Sequence, residues 1–222
     1  MRFIKTTYQV FLKDLRVEIR SRYGLNTVLA FVVASLMVVL FALRAEDLHL
    51  EARSGLIWII ILFASMAALP RSFVSETDQG TFDLLRLHFS APPVFAGKLM
   101  YNFLFTVMVS IFTLLLYLFM MGITVQNWGI LLLSLVFGSL GLSSVSTLLA
   151  SLVAQSAQRG AIFSVLSIPL LIPLILILAN TTLVGFFGES DGGSLNDIMA
   201  LIGFSGATVT AGSLLFDFVW DE

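Results

Sequence analysis

Ser75-Glu76-Thr77-Asp78-Gln79-Gly80-Thr81-Phe82-Asp83-Leu84-Leu85-Arg86-Leu87-His88-Phe89-Ser90-Ala91-Pro92-Pro93 is a charged, helix-patterned stretch set between runs apolar enough to cross a bilayer. Thr81 offers a hydroxyl to cap a helix over the residues that follow, Asp83 suits its positive N-terminal end, and Pro92-Pro93 forbids continuation. The pattern predicts a short helix with Phe82, Leu85 and Phe89 on one face and Asp83 and Arg86 elsewhere. A helix this short is marginal in water and must dock on something. A membrane interface accepts such an apolar face, and so does a groove on another protein, with the charged residues at its rim setting register. The spacing alone does not choose between them.

The flanking sequence decides the solvent. Hydrophobic residues make up 58% of the 222 residues and charged ones 12%, with mean hydropathy +0.99; soluble domains carry roughly 25% charge. The chain reads as an all-α integral membrane protein. A hydrocarbon core of about 30 Å takes about 20 apolar residues per helix. Six runs are placed as spans, over Leu25 to Leu43, Gly55 to Leu69, Tyr101 to Met121, Gly129 to Val153, Ala161 to Ala179 and Ile198 to Val219; the second is short and ends at Pro70, and the last is rich in Gly, Ser and Thr. The whole of 1–222 is read as one transmembrane domain, with an N-terminal interfacial helix over 1–22 and the polar loop over 71–100. The first apolar run follows too long a charged region to be a secretory signal, and no small-x-small cleavage site follows Leu43.

Positive charge sets the orientation, because short loops rich in Lys and Arg stay in the cytoplasm. Arg2, Lys5, Lys13, Arg16, Arg20 and Arg22 precede the first span, while Arg71, Arg86, Lys98 and Arg159 fall on the same side by alternation. Ten of the twelve cations then share one side, with Arg44 and Arg53 opposite. Both termini and the 71–100 loop are expected to be cytoplasmic. In the N-terminal segment Phe3, Tyr8, Phe11, Leu12, Leu15 and Ile19 share one helical face, and Lys5, Gln9, Lys13, Arg16 and Arg20 line another. This basic amphipathic helix suits a surface of anionic lipid, at about 1 kcal/mol per cation. It also suits an elbow bracing a cytoplasmic partner.

Several chemistries are excluded. No cysteine is present, which removes disulfides, thiolate metal sites and Cys nucleophiles. The slightly acidic pI of about 5.6 gives no reason to expect nucleic acid. No Ser/His/Asp set, paired carboxylates or metal-spaced ligands are visible, and the middle of every span lacks ionisable residues, which argues against a proton-coupled carrier or an intramembrane enzyme. His49 and His88 fall on opposite sides, so they cannot share one iron. Trp58, Trp128 and Trp220 lie near span ends and read as interfacial anchors. Pro169 and Pro173 interrupt the fifth span and mark a gate or a packing kink. Ser139, Ser143 and Thr147, and again Gly203, Ala207 and Ala211, recur every fourth residue and permit close helix contact, within the chain or with a second copy.

The order Glu76-x-x-x-Gly80-Thr81-Phe82-Asp83-x-Leu85, followed by Pro92, resembles the coupling region of type-2 ABC exporter permeases. More narrowly, Leu15-Arg16-Val17-Glu18-Ile19-Arg20-Ser21, Gly55-Leu56-Ile57-Trp58, Arg71-Ser72-Phe73-x-x-Glu76, Gly97-Lys98 and Ile168-Pro169-Leu170-Leu171-Ile172-Pro173 together resemble the CcmB family, the haem exporter B permeases of bacterial cytochrome c maturation. The resemblance implies an inner-membrane permease that pairs with a second copy, with a separate ATPase subunit that binds ATP, and with haem-handling membrane proteins. It makes Glu76, Gly80, Thr81, Phe82, Asp83, Leu85, Arg86 and Phe89 the ATPase-coupling interface. Haem enters as the transported or handled species, with the task being haem export or ATP-driven release of a haem-loaded chaperone. The residues agree on one point by themselves: no G-x-x-x-x-G-K-[ST] occurs, so no Walker loop cradles ATP phosphates here. A type-2 exporter of lipid, polysaccharide or drug, and a non-transporting scaffold for haem delivery, are the alternative readings.

Overall fold

The computed structural model describes residues 2–42, 48–154, 159–188 and 194–221, and every regular element among them is a helix. In chain order these are α1 (Arg2–Ser21), α2 (Tyr23–Ala42), α3 (Leu50–Ala68), α4 (Arg71–Asp78), α5 (Phe82–His88), α6 (Ala91–Met121), α7 (Trp128–Val153), α8 (Arg159–Phe187) and α9 (Ser194–Asp221). Six segments are long and apolar enough to cross a membrane: α2, α3 running on into α4, and α6 to α9. Leu43, Arg44, Glu46, Asp47, Glu189, Asp191 and Glu222 lie outside the described residues.

Two spans run past prolines that were expected to bound them. The second was expected to end at Pro70, yet Pro70 has helical φ and ψ and its carbonyl accepts from Phe73 and Val74, so the chain passes directly into α4. Proline lacks only its own N–H, which the first turn of a helix does not need. The same chemistry corrects the reading of Pro92-Pro93. They occupy the first turn of α6, after Ser90, and open that helix rather than merely closing α5. α6 therefore has 31 residues, about 46 Å at 1.5 Å per residue. That exceeds the hydrocarbon core, and its first turns serve the loop side of the molecule.

α7 is the hub, packing on α6, α8 and α9, while α3 packs on α6 and α8 and α2 covers α3. With lipid outside, apolarity does not distinguish the faces; the inward ones are marked by small and hydroxyl residues. Ser139, Ser143 and Thr147 are fully buried, with Ser139 Oγ 3.2 Å from Ser110 Oγ and Asn102 Nδ2 donating to Thr147 Oγ1 at 2.8 Å. That stripe is an internal α6–α7 contact. Gly203, Ala207 and Ala211 are exposed along α9. On α6 itself, Lys98, Asn102, Thr106, Ser110, Thr113 and Tyr117 form one buried polar line at steps of three and four.

Two of the three tryptophans are not interfacial anchors. Trp58 is buried and donates from Nε1 to Thr182 Oγ1 at 2.7 Å, pinning α3 to α8, and Trp220 is buried near the end of α9; Trp128 alone of the three is exposed. A buried indole is retained where its N–H finds an acceptor. Pro169 and Pro173 sit one turn apart on the exposed side of a single helix, α8.

Candidate functional site

The loop side is organised by one charge cluster. Lys98 Nζ is fully buried and donates to Asp14 Oδ2 at 3.2 Å, to the Ser72 carbonyl at 2.5 Å and to Glu76 Oε1 at 3.4 Å. Lys13 pairs with Glu76 and, at 3.2 Å, with Asp14. Two ammonium groups and two carboxylates therefore join α1, α4 and α6 with no net charge. Buried ions persist only when paired and hydrogen-bonded. Burial and the adjacent Lys98 push the Lys13 ammonium below the ordinary lysine value, while Asp14 pulls the other way.

This arrangement revises the reading of α1. Lys5, Arg16 and Arg20 are exposed as expected, but Lys13, its side chain 39% exposed, reaches across to pair with Glu76. The face packed on α6 is neither the apolar nor the basic one: it carries Thr7, Val10 and Asp14. Phe3, Tyr8 and Ile19 remain exposed for lipid. The contact with α6 is close because Gly97 has no side chain; a Cβ there would lie 2.7 Å from the Thr7 carbonyl oxygen and 2.8 Å from Val10 Cβ. At the far end of α1 the Glu18 carboxylate accepts from Leu25 N at 2.7 Å and caps α2, while Arg22 takes φ +52° to turn the chain.

Glu76 also explains the Glu-x-x-x-Gly-Thr spacing. Gly80, at φ +65°, supplies the left-handed residue that ends α4. The turn returns Thr81 to Glu76: Thr81 N donates to the Glu76 carbonyl at 2.9 Å, and Thr81 Oγ1 donates to Glu76 Oε2 at 2.5 Å. The expected cap by the Thr81 hydroxyl on α5 is not formed; the hydroxyl is turned back towards Glu76, to which it donates.

α5 docks on its own chain. Phe82, 4% exposed, meets Trp220 edge-on at 5.5 Å, and Leu85 and Phe89 pack against the same core. Arg86 donates from Nε at 2.9 Å and Nη2 at 2.5 Å to the Trp220 carbonyl, capping the end of α9. Trp220 meets Phe216 at a tilt of 44°, and Phe216 also touches Phe73 of α4 and Phe95 of α6. The Phe82, Leu85 and Phe89 face is thus occupied within the protein. What α5 leaves outward is Leu84, 56% exposed, Leu87, 79% exposed, and His88. Asp83 falls on this helix, and its side chain is outside what the structure describes. Between α1, α4 and α5 lies a cleft of about 400 Å³, floored by Lys13, Glu76 and Thr81 and walled by Leu84, His88 and Phe89. His49, also exposed, is at the start of α3, so the two histidines are separate as expected.

Asp14 and Lys98 carry the site without having been singled out as site residues. Lys98 reads as a loop cation until Asn102, Thr106 and Ser110 are seen to continue its face into the span.

The pattern defining the CcmB protein family matches residues 5–215. Heme exporter protein B of Pseudomonas aeruginosa is 27% identical over 168 residues, 74% of this chain and 75% of the relative. Heme exporter protein B of Rhodobacter capsulatus is 25% identical over 169 residues, covering 74% and 76%. The Haemophilus influenzae protein of the same name is 25% identical over 179 residues, covering 79% and 80%. The match spans the α1 cluster residues, the α4–α5 loop and five of the six spans in full, and the chain belongs to the CcmB protein family.

Proposed function

We propose that this chain is the membrane permease subunit of an ABC transporter acting in cytochrome c maturation, and that it works with a separate ATPase subunit. The observation that carries the reading is the family match along nearly the whole chain. Export of lipid, polysaccharide or drug is not favoured by it. The relatives' name, Heme exporter protein B, supports haem as the species handled.

In this reading the bacterial inner membrane holds the six spans, with both termini and the 71–100 loop in the cytoplasm, where ten of twelve cations lie by alternation. The ATPase docks on the outward residues of α5, Leu84, Leu87 and His88, and its motion moves that helix. Phe82 and Arg86 pass the displacement to α9, while Glu76, with Thr81, passes it to α1 and α6. A second copy of the chain completes the permease, and the exposed Gly203, Ala207 and Ala211 line of α9 is a surface on which two copies can approach closely.

The test is mass spectrometry of what co-purifies with the tagged chain, gently extracted from its native membrane, together with an absorption spectrum for haem. A cytoplasmic ATPase together with cytochrome-maturation proteins is expected. Recovery without an ATPase contradicts the proposal, and an ATPase accompanied by envelope-polysaccharide enzymes replaces it.

A further inference from the structure

We propose that the elbow between α1 and α2 holds one structural phospholipid with an amine-bearing head group, phosphatidylethanolamine, in a site separate from the α5 surface. Two adjoining cavities form it. The first is a chamber of about 160 Å³ whose wall is mostly apolar, with Leu69 and Phe105 among its residues, and into which Arg71, Glu18 and Tyr101 bring charge and a hydroxyl. The second is an apolar groove of about 310 Å³ along Leu15, Ile19, Leu25, Leu104, Phe105 and Met108. Glu18, Tyr101 and Phe105 belong to both, so chamber and groove share a wall.

The chamber contains an unmet demand. Arg71 Nη1 is buried and has no hydrogen-bond partner, while the Arg71 guanidinium lies 4.8 Å from the centre of the Tyr23 ring. A buried guanidinium N–H left without an acceptor costs free energy, and a phosphate oxygen is the acceptor its fork geometry fits best. The same chamber presents the Glu18 carboxylate, which accepts from the uncharged Leu25 N–H, whereas Asp14 is already answered by Lys13 and Lys98. An anionic head group with no cation of its own meets the Glu18 carboxylate unfavourably. A phosphate carrying an ammonium answers both signs, with the phosphate on Arg71 and the ammonium towards Glu18.

The groove identifies the rest of the molecule. Its rim residues Leu104 and Met108 are 37% and 49% exposed on the lipid side of α6, next to the hinge at Arg22 and Asn26. A soluble phosphate compound leaves that groove empty, whereas an acyl chain fills it and removes its apolar wall from competing contacts. The site therefore suits an amphiphile whose head enters the chamber and whose tail follows α6. Seated there, the lipid fills the angle between α1, α2 and α6 and holds the elbow open at a fixed setting.

The experiment is native mass spectrometry of the full chain with its co-purifying partners. The complex is reconstituted in nanodiscs of phosphatidylethanolamine, phosphatidylglycerol and phosphatidylcholine in equal parts, then released under conditions that strip annular lipid. One phosphatidylethanolamine retained per chain is expected. Arg71→Gln and, independently, Leu104→Trp should each lower its retention at least fivefold without enriching phosphatidylglycerol. Leu104 faces lipid, so its substitution fills the groove without entering the core and keeps the test valid if the Arg71 variant folds poorly. Lipids retained in the proportions of the bilayer, or retention unchanged in the Leu104→Trp variant, would mean annular lipid only and overturn the site.

Discussion

Replacing Lys98 by Met removes the central donor of the charge cluster with little change of volume. Its Nζ donates at 2.5 Å to the Ser72 carbonyl and contacts Asp14 at 3.2 Å and Glu76 at 3.4 Å, from a fully buried position. After the substitution Asp14 and Glu76 share Lys13, and the Ser72 carbonyl loses its charged donor. Removing one partner of a buried ion pair costs about 3–5 kcal/mol. Lys13 still neutralises part of the excess, which places Lys98→Met near the low end, about 3 kcal/mol. A loss of that size is a large part of a stability that is about 5–15 kcal/mol for typical domains. The double variant Glu76→Gln, Lys98→Met removes one charge of each sign, leaves Lys13 paired with Asp14 at 3.2 Å and should cost about 1 kcal/mol, because replacing a buried pair by neutral groups is often close to neutral. The assay is reversible unfolding in mixed micelles followed by far-UV circular dichroism, with the two single variants and the double variant compared as a cycle. A Lys98→Met loss below about 0.5 kcal/mol, the range of ordinary surface changes, refutes the reasoning. So does a double variant less stable than Lys98→Met alone.

Phe82→Ala should cost about 3–5 kcal/mol of stability, as emptied aromatic core sites do, whereas Leu87→Ser should stay within about 0.5 kcal/mol and yet reduce recovery of the ATPase in co-purification. Unfolding midpoints and pull-down yields, measured on the same two variants, separate the buried face of α5 from the exposed one. Gly97→Val places methyl groups against the Thr7 carbonyl, where a Cβ already meets oxygen at 2.7 Å. The backbone cannot yield as a side chain does, so α1 should lift from α6 at a cost of about 1–3 kcal/mol, read as faster proteolysis within residues 2–21. Trp58→Phe orphans Thr182 Oγ1 in the α3–α8 contact and should cost about 1–3 kcal/mol. Adding Thr182→Val should recover part of that loss in the same unfolding assay.

The architecture was legible because lipid imposes a simple rule: apolar runs of sufficient length become spans, and the six runs recur as α2, α3, α6, α7, α8 and α9. Their ends were less legible. Pro70 and Pro92-Pro93 read as stops, although proline at a helix start is favourable and the surrounding residues allowed helix on both sides. The short helix at Phe82 is placed at its observed start, and Phe82 and Leu85 face inward as read, although Phe89 follows the helix in extended conformation rather than sharing its face. Its dock was not legible, because Trp220 is distant in sequence and nothing local announces an aromatic partner on the last helix. For the same reason Glu76 read as part of a coupling interface, while in the fold it is the buried link between Lys13, Lys98 and Thr81. Asp14 was the missing signal on α1: an acid at the spacing of Thr7 and Val10, on neither the apolar nor the basic face, marks a third face that must meet a cation.

The measurement that bears most directly on the central proposal uses the absence of native cysteine. Single cysteines at Leu87 and at Phe119, both highly exposed but on α5 and at the opposite end of α6, are treated in native membranes with a short bifunctional thiol-to-amine cross-linker. Leu87→Cys should join the chain to a cytoplasmic ATPase, and Phe119→Cys should not. If Leu87→Cys forms no ATPase adduct while the ATPase still co-purifies with the chain, α5 is not the surface on which it acts.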